Sequence, residues 1–212
     1  MIGIVAHTAR AEHAHTLMDQ VGAAYISIDN GTLGCNGNHK QVWTWLNNHT
    51  DEWAIVLEDD SLPTPDFRHQ ATHALAVTPS PVVSFYLGKH HMPTLDIERD
   101  KQQAITKAQA ADAHWITSRQ LLHAVAVAIH KDHIPAMLAH ITQLPELFPI
   151  DEAITHWATS NTIDVSYTWP SLVDHADHPT LFRHLDKLPR PPGRVAYTTG
   201  GHDTWTDRAV IM

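Results

Sequence analysis

The stretch Trp53-Ala-Ile-Val-Leu-Glu-Asp-Asp60 contains five apolar residues in a row, followed by three acids. A short, uninterrupted apolar run is typical of a strand that is covered on both faces in a parallel sheet. Three carboxylates therefore stand at the carboxyl end of a predicted central strand. Open α/β sheets bind their ligands at this edge.

Strands and helices alternate on the N-terminal side of this strand. A strand, a helix and a second strand within about thirty residues predict a βαβ unit with a right-handed crossover. The predicted elements are a strand at residues 1–6, a helix at 11–21 that stops at Gly22, a strand at 24–28, a glycine-rich loop at 31–37 and a helix at 38–48.

The alternation continues on the C-terminal side. We expect helices at 67–76, 120–129, 134–141 and 153–159, strands at 82–87 and 164–169, and a polar connection with weak helical character at 88–110. This order predicts the α/β class, with one Rossmann-like domain built on a mostly parallel central sheet flanked by helices.

The last part of the chain is rich in proline, glycine and histidine, and only residues 194–197 suggest an extended segment there. We place the main domain at residues 1–173 and an irregular C-terminal extension at 174–212. Because the extension contains Phe182, Tyr197 and Trp205, we expect it to pack on the same domain.

Composition excludes several classes of protein. The chain has 14 Lys and Arg against 23 Asp and Glu, a net charge of -9, which argues against a broad nucleic-acid-binding surface. No window reaches the ~18 apolar residues of a membrane span, and the N-terminus lacks the pattern of an export signal. The lone Cys35 excludes an internal disulfide. These features predict a cytoplasmic protein without a membrane span.

The acids after the strand are suited to a hard cation. Glu58 and Asp60 point to one side of an extended segment and Asp59 to the other. Mn²⁺ or Mg²⁺ prefers oxygen ligands and completes its shell with substrate phosphates and water. The alternative is an acidic turn that is solvated or caps the next helix.

Two stretches resemble a known family. Gly34-Cys-Asn-Gly-Asn-His39, upstream of Val56-Leu-Glu-Asp-Asp60, is similar to the paired signature of GT-A glycosyltransferases of the lipooligosaccharide-galactosyltransferase and procollagen-galactosyltransferase kind. Pro170-Ser-Leu-Val-Asp-His175, with Gly193-Arg-Val-Ala-Tyr197, resembles short glycosyltransferase-like proteins encoded by phages of actinobacteria. In element order the resemblance extends from residue 1 to residue 175.

The resemblance implies a GT-A-like domain and a metal-dependent transferase. Such an enzyme moves a hexose from a nucleotide diphosphate sugar to an acceptor hydroxyl, which we expect to occur with inversion. The acceptor is unknown and is a glycan, a protein or a modified nucleobase. If the protein is phage-encoded, it would act in the host cytoplasm.

The resemblance also implies roles for individual residues. The expected metal ligands are Glu58, Asp60 and His175, and His175 would favour Mn²⁺ because imidazole suits that ion better than Mg²⁺. With His178, His175 also forms a His-x-x-His pattern that is compatible with zinc or with an ordinary polar turn. The expected donor-binding residues are His7, Thr8, Arg10, Asp29, His39 and Asp59.

Several of these assignments have plain structural alternatives. Arg10 could be a solvated cation at a helix start, Asp29 a turn residue, and His39 a helix-start residue that only caps. Asp151 is expected to act as the general base toward the acceptor, with Glu152 less favoured. The alternative for Asp151 is an N-cap of the helix that follows.

Two other functions fit the same acids. One is a nucleotidyltransferase or a metal-dependent phosphohydrolase. The other is a non-catalytic module that binds a nucleotide or a carbohydrate, in which the acids perform no chemistry.

Overall fold

The computed structural model describes residues 1–89, 95–145, 148–179, 181 and 192–212. The strands are β1 (Ile2–His7), β2 (Tyr25–Asp29), β3 (Trp53–Glu58), β4 (Ser61–Pro63), β5 (Val82–Ser84), β6 (Trp115–Ser118), β7 (Ala126–His130), β8 (Val165–Thr168), β9 (Val173–His175) and β10 (Ala209–Ile211). The helices are α1 (Ala11–Val21), α2 (Gly34–His49), α3 (Phe67–Leu75), α4 (Leu95–Ala111), α5 (Ile134–Ile141) and α6 (Ile150–Ser160), with 3₁₀ turns at Thr8–Arg10 and Lys131–His133.

Eight of these strands form one sheet in the order β10-β6-β8-β5-β7-β3-β1-β2. Four of the seven pairings are parallel: β1 with β2, β1 with β3, β5 with β8, and β6 with β10. Strand β7 runs antiparallel to both β3 and β5, and β6 runs antiparallel to β8. The predicted α/β class, with a mostly parallel central sheet flanked by helices, is confirmed.

The apolar run in β3 is explained by burial on both faces of the sheet. Val56 belongs to a core that includes Trp43 of α2, whereas Leu57 belongs to a second core that includes Phe67 of α3. Successive side chains of a strand point to opposite faces, so a strand between two helical layers needs apolar residues at every position. The second helical layer thus explains the absence of polar alternation.

Two glycines stand where a larger side chain would clash or where the backbone adopts a positive φ. A Cβ atom at Gly3 would lie 2.7 Å from Cγ1 of Val42, so glycine lets α2 pack closely against β1. Gly22 has φ of 60°, and α1 ends there as predicted.

The helix predicted for residues 120–129 is wrong. Residues 126–130 form β7, at the centre of the sheet between β3 and β5. Val127 and Ile129 pack in one core, and Ala126 and Ala128 pack in the other. A continuous apolar segment has no periodicity that separates a buried strand from a buried helix, so the pattern alone does not distinguish the two.

Two further predictions need correction. The stretch 31–37 was expected to be a loop, but α2 already begins at Gly34. The polar connection 88–110 contains the 17-residue helix α4, whose acidic first turn and alanine-rich C-terminal half favour a helix.

The C-terminal residues contribute to the eight-stranded sheet and to a second, two-stranded sheet formed by β4 and β9. In the small sheet, His175 of β9 pairs with Ser61 of β4. Strand β10, which the sequence did not predict, joins the edge of the large sheet beside β6. Trp205 is 5% exposed and its indole N–H donates to the side-chain oxygen of Gln70 at 2.7 Å. Phe182, expected to be an anchor of this segment, lies outside the described residues. Within the described ranges, each helix is too short or too polar to cross a membrane.

We expect Trp205→Ala to lower the free energy of unfolding by about 3–5 kcal/mol, because it removes a large buried side chain and leaves Gln70 without its indole partner. Ile211→Ala is the matched control: Ile211 is 75% exposed, and its loss should change stability by at most about 0.5 kcal/mol. Urea titration of both variants measures these changes. Equal, small effects would contradict integration of the segment into the domain.

Candidate functional site

The carboxyl ends of β1, β2 and β3 open into a cleft with a volume of about 470 Å³. These strands are parallel neighbours, so their ends meet at one edge of the sheet. Eight of the predicted site residues line the cleft: His7, Arg10, Asp29, Glu58, Asp59, Asp60, Asp151 and His175. The structure therefore brings together residues that are widely separated in sequence.

The other two predicted residues are placed differently. Thr8 is exposed and is not among the residues that line the cleft. His39 is only 1% exposed and makes contact with Glu58. A direct contact of either residue with a donor stays a prediction.

Arg10 carries the positive charge that balances the acids at the end of β3. Its Nη1 lies 2.8 Å from Oδ1 of Asp59 and 2.6 Å from Oδ2 of Asp60. Oδ2 of Asp59 also accepts the backbone N–H of His7 at 2.8 Å. Burial nevertheless raises the pKa of Asp59, against the lowering effects of His7 and Arg10. Arg10 is therefore a structural partner of the acids, and the alternative of a solvated helix-start cation is wrong.

Asp60 is buried and has one free carboxylate oxygen. Its Oδ2, which accepts from Arg10, also lies 3.3 Å from Nε2 of His175, whereas Oδ1 has no hydrogen-bond partner. Burial raises the pKa of Asp60, but His175 and Arg10 outweigh it and hold that pKa below its usual range. A buried, ionised carboxylate with an unused oxygen is suited to binding a cation.

Glu58 has a different set of neighbours from Asp60. Its Oε1 lies 3.1 Å from Nε2 of His39, which projects from α2. Cys35, His39 and Glu58 offer possible metal-ligating atoms that all lie within 4.8 Å of one another. Among the described residues, this is the group of three or more such side chains. Neither His175 nor His178 belongs to that group.

Asp29 anchors the loop that leads into α2. Its two carboxylate oxygens accept backbone N–H groups from residues 31–34 at 3.0–3.1 Å. Burial raises the pKa of Asp29, but these four hydrogen bonds outweigh it and lower that pKa. One of them satisfies the N–H of Gly34, the first residue of α2. Contact of Asp29 with a base or ribose stays a prediction.

Asp151 lies in the first turn of α6 and faces the cleft. The N-cap position belongs to Pro149, so the alternative in which Asp151 is the N-cap of α6 is wrong. Oδ1 of Asp151 accepts the adjacent N–H of Glu152 at 3.0 Å. Burial, and to a lesser degree the charge of Glu58, raise the pKa of Asp151 to about 7.

Sequence reasoning missed a second cation at the cleft. Arg194 lies 3.4 Å from a carboxylate oxygen of Asp177 and donates to the backbone oxygen of His178 at 2.8 Å. The hydroxyl of Tyr86 donates to the backbone oxygen of Arg194 at 2.7 Å. The arginine in the quoted segment Gly193–Tyr197 was the available signal, but its distance from residue 60 in the sequence concealed it.

Asn38 was also missed as a structural part of the site. Its side-chain amide donates to the backbone oxygens of Ala6 at 2.8 Å and of Ser27 at 3.2 Å. These oxygens belong to neighbouring strands β1 and β2. Asn38 thus attaches α2 to both strand ends.

Comparison with known proteins gives partial similarities. No family model matches this chain. A 55-residue segment is 47% identical to trans-aconitate 2-methyltransferase from Klebsiella pneumoniae (strain 342), and the match covers 26% of this chain and 22% of that protein. The solved structure of the inositol-1-phosphate CTP transferase from T. maritima is similar with a TM-score of 0.38 and 8% identity, over 78% of this chain and 64% of that one.

We expect Asp151 to make the protein less stable as pH rises. The unfolded aspartate loses its proton near pH ~4, whereas folded Asp151 keeps it up to about pH 7. The native state therefore binds the extra proton between these values, and the free energy of unfolding falls as pH rises through this window.

Asp151→Asn should reduce the decrease of the free energy of unfolding with pH. Denaturant titrations from about pH 4 to about pH 8 measure this decrease. The matched control is Glu152→Gln in the same turn of α6, which should retain most of the slope. Parallel pH profiles for the parent and Asp151→Asn would contradict the raised pKa.

Proposed function

We propose that this protein is a metal-dependent glycosyltransferase that moves a hexose from a nucleotide diphosphate sugar to an acceptor hydroxyl, with inversion at the anomeric carbon. The observation that carries the proposal is the cleft itself. Acids and an arginine from the ends of β1 and β3 line it together with Asp151 from α6. The resemblance of residues 34–39 and 56–60 to GT-A glycosyltransferases supports the choice of a sugar nucleotide.

Oxygen atoms in the cleft fit a hard divalent cation. Asp60 supplies a buried oxygen without a partner, Glu58 lines the same cleft, and His175 lies next to Asp60. The ligand atoms of these three residues do not all lie within 4.8 Å of one another, so their side chains would have to move to hold Mn²⁺ or Mg²⁺. The ion would neutralise charge on the departing diphosphate.

Two arginines are suited to the donor. Arg10 and Arg194 both line the cleft and present planar guanidinium groups, which bind phosphate oxygens in pairs. Arg10 is held against Asp59 and Asp60, so its guanidinium group lies at a defined place before any donor binds. Such preorganisation reduces the reorganisation that binding requires.

Asp151 is suited to activate the acceptor. In the proposed step its carboxylate takes the proton of the acceptor hydroxyl while the oxygen forms a bond to the anomeric carbon. The bond from that carbon to the diphosphate breaks, and the diphosphate leaves with the electron pair. A general base is most effective when its pKa lies near the working pH, and the raised pKa of Asp151 supports this role.

A thermal-shift screen of nucleotides and nucleotide sugars, with and without Mn²⁺, tests the proposal. A ligand that binds only the native state raises the apparent melting temperature. We expect a nucleotide diphosphate sugar to give the largest shift, and only with the metal. In turnover assays, transfer of a nucleotide from a nucleoside triphosphate with release of diphosphate would instead favour the nucleotidyltransferase, and hydrolysis of phosphate esters the phosphohydrolase. Binding without turnover would favour a non-catalytic module.

Asp60→Asn should abolish Mn²⁺-dependent donor binding and leave the fold intact. The substitution removes the negative charge and replaces one carboxylate oxygen by an amide nitrogen, which does not bind a metal. Isothermal titration calorimetry measures donor binding. Asp96→Asn, at an exposed position of α4, is the control that removes a carboxylate away from the cleft. Unchanged metal-dependent affinity in Asp60→Asn would show that Asp60 is not a ligand.

Asp151→Asn should reduce the rate of sugar transfer by ~10²- to 10⁴-fold and leave the donor Kd nearly unchanged, because a general base acts in the transition state. Single-turnover transfer and calorimetry separate the two effects. The control is Glu152→Gln, which should retain the parent rate. Similar losses of donor affinity and of rate would assign Asp151 to the donor site.

A further inference from the structure

We propose that Cys35, His39 and Glu58 form a site for a borderline-soft divalent cation of the zinc class, which shares Glu58 with the Mn²⁺ or Mg²⁺ ligands proposed above and otherwise uses different residues. The three residues offer a thiolate sulfur, an imidazole nitrogen and a carboxylate oxygen, which are the ligand types that zinc prefers in proteins. The inference does not depend on glycosyl transfer.

The positions of the three residues follow from the fold. Cys35 and His39 are four residues apart in α2, so their side chains lie on one face of the helix. Glu58 is the last residue of β3, on which α2 packs. Their possible ligand atoms all lie within 4.8 Å of one another, so small side-chain movements would bring them around one ion.

His39 is buried beside Glu58, and its hydrogen bonding is incomplete. The side chain is 1% exposed, and Nε2 lies 3.1 Å from Oε1 of Glu58. Nε2 is therefore the ring nitrogen that could share an ion with the Glu58 carboxylate, and the ring hydrogen would then lie on Nδ1. Nδ1 is buried and has no hydrogen-bond partner, which is uncommon for a buried polar atom.

The surrounding charge also favours a cation. The carboxylates of Glu58, Asp151 and Asp60 act on the Cys35 sulfur, and their negative potential attracts a divalent ion. Burial raises the pKa of the Cys35 thiol, so binding of the ion must supply the free energy that removes its proton. On binding, the thiol proton passes to solvent and the sulfur coordinates as a thiolate.

The proposed site would keep an open position toward the cleft. Cys35 and Glu58 both line the cleft, while His39 lies behind them. Three protein ligands with a fourth position open to water or a small ligand is the arrangement of catalytic zinc sites rather than structural ones. Because Glu58 also belongs to the proposed Mn²⁺ or Mg²⁺ ligands, zinc should weaken donor binding.

Titration of the intact protein with Co²⁺, a spectroscopic substitute for zinc, tests the site. Cys35 is the single cysteine of the chain, so a thiolate-to-cobalt charge-transfer band reports on that residue alone, despite the 19 histidines. We expect the band to saturate at one ion per chain, with visible bands of a four-coordinate ion, and excess Zn²⁺ to remove it.

Variants separate this site from the rest of the protein. Cys35→Ser should lose the band, and His39→Gln should weaken cobalt binding at least ~10-fold, as expected for loss of a ligand. His49→Gln, at the other end of α2, is the matched control and should retain the full band. Asp60→Asn should also retain it while losing Mn²⁺-dependent donor binding, so failure of one proposal is distinguishable from failure of the other.

A second measurement avoids variants that fold poorly. Zn²⁺ should slow the alkylation of Cys35 by iodoacetamide in the parent protein, since coordination occupies the sulfur. An octahedral cobalt spectrum without a thiolate band, a band that needs two chains per ion, or alkylation at the same rate with and without Zn²⁺ would overturn the inference.

Discussion

The register of hydrogen bonds between β1 and its two parallel neighbours determines where the groups at the ends of these three strands lie. His7 stands opposite Asp29 in β2, and Val5 stands opposite Glu58 in β3. A slip by one residue would turn each side chain of the slipped strand to the other face and move the acids after β3 relative to His7 and Asp29. The pairing that stabilises these strands therefore also positions the chemistry.

Around this edge, neighbouring acids are distinguished by their partners. Asp59 is held by Arg10 and a backbone amide, Asp60 by Arg10 and a histidine from β9, and Glu58 by a histidine from α2. Burying several like charges is costly unless each finds a counter-charge or a hydrogen bond. Elements from both ends of the chain meet this requirement, which ties the C-terminal segment to the site.

The sequence revealed the parts of the fold that depend on local patterns. The continuous apolar run of β3 and the acids after it predicted a ligand edge, and Gly22 predicted the end of α1. The sequence could not reveal β7, because a segment buried on both faces has no periodicity. It also could not reveal the place of Arg194, because only the folded chain brings this residue to the cleft that Arg10 lines. The raised pKa of Asp151 likewise depends on burial, which a local pattern does not report.

Strand β7 has a consequence for the order in which the protein is assembled. It lies at the centre of the sheet, yet it is synthesised long after β3, the strand whose open edge it covers. During synthesis from the N-terminus, β1, β2 and β3 can associate early. The backbone groups on the other edge of β3 stay unpaired until β7 emerges. Pairings between strands distant in sequence form slowly, and open edges promote aggregation. Nascent chains should therefore be most vulnerable to association while the stretch between β3 and β7 is being made.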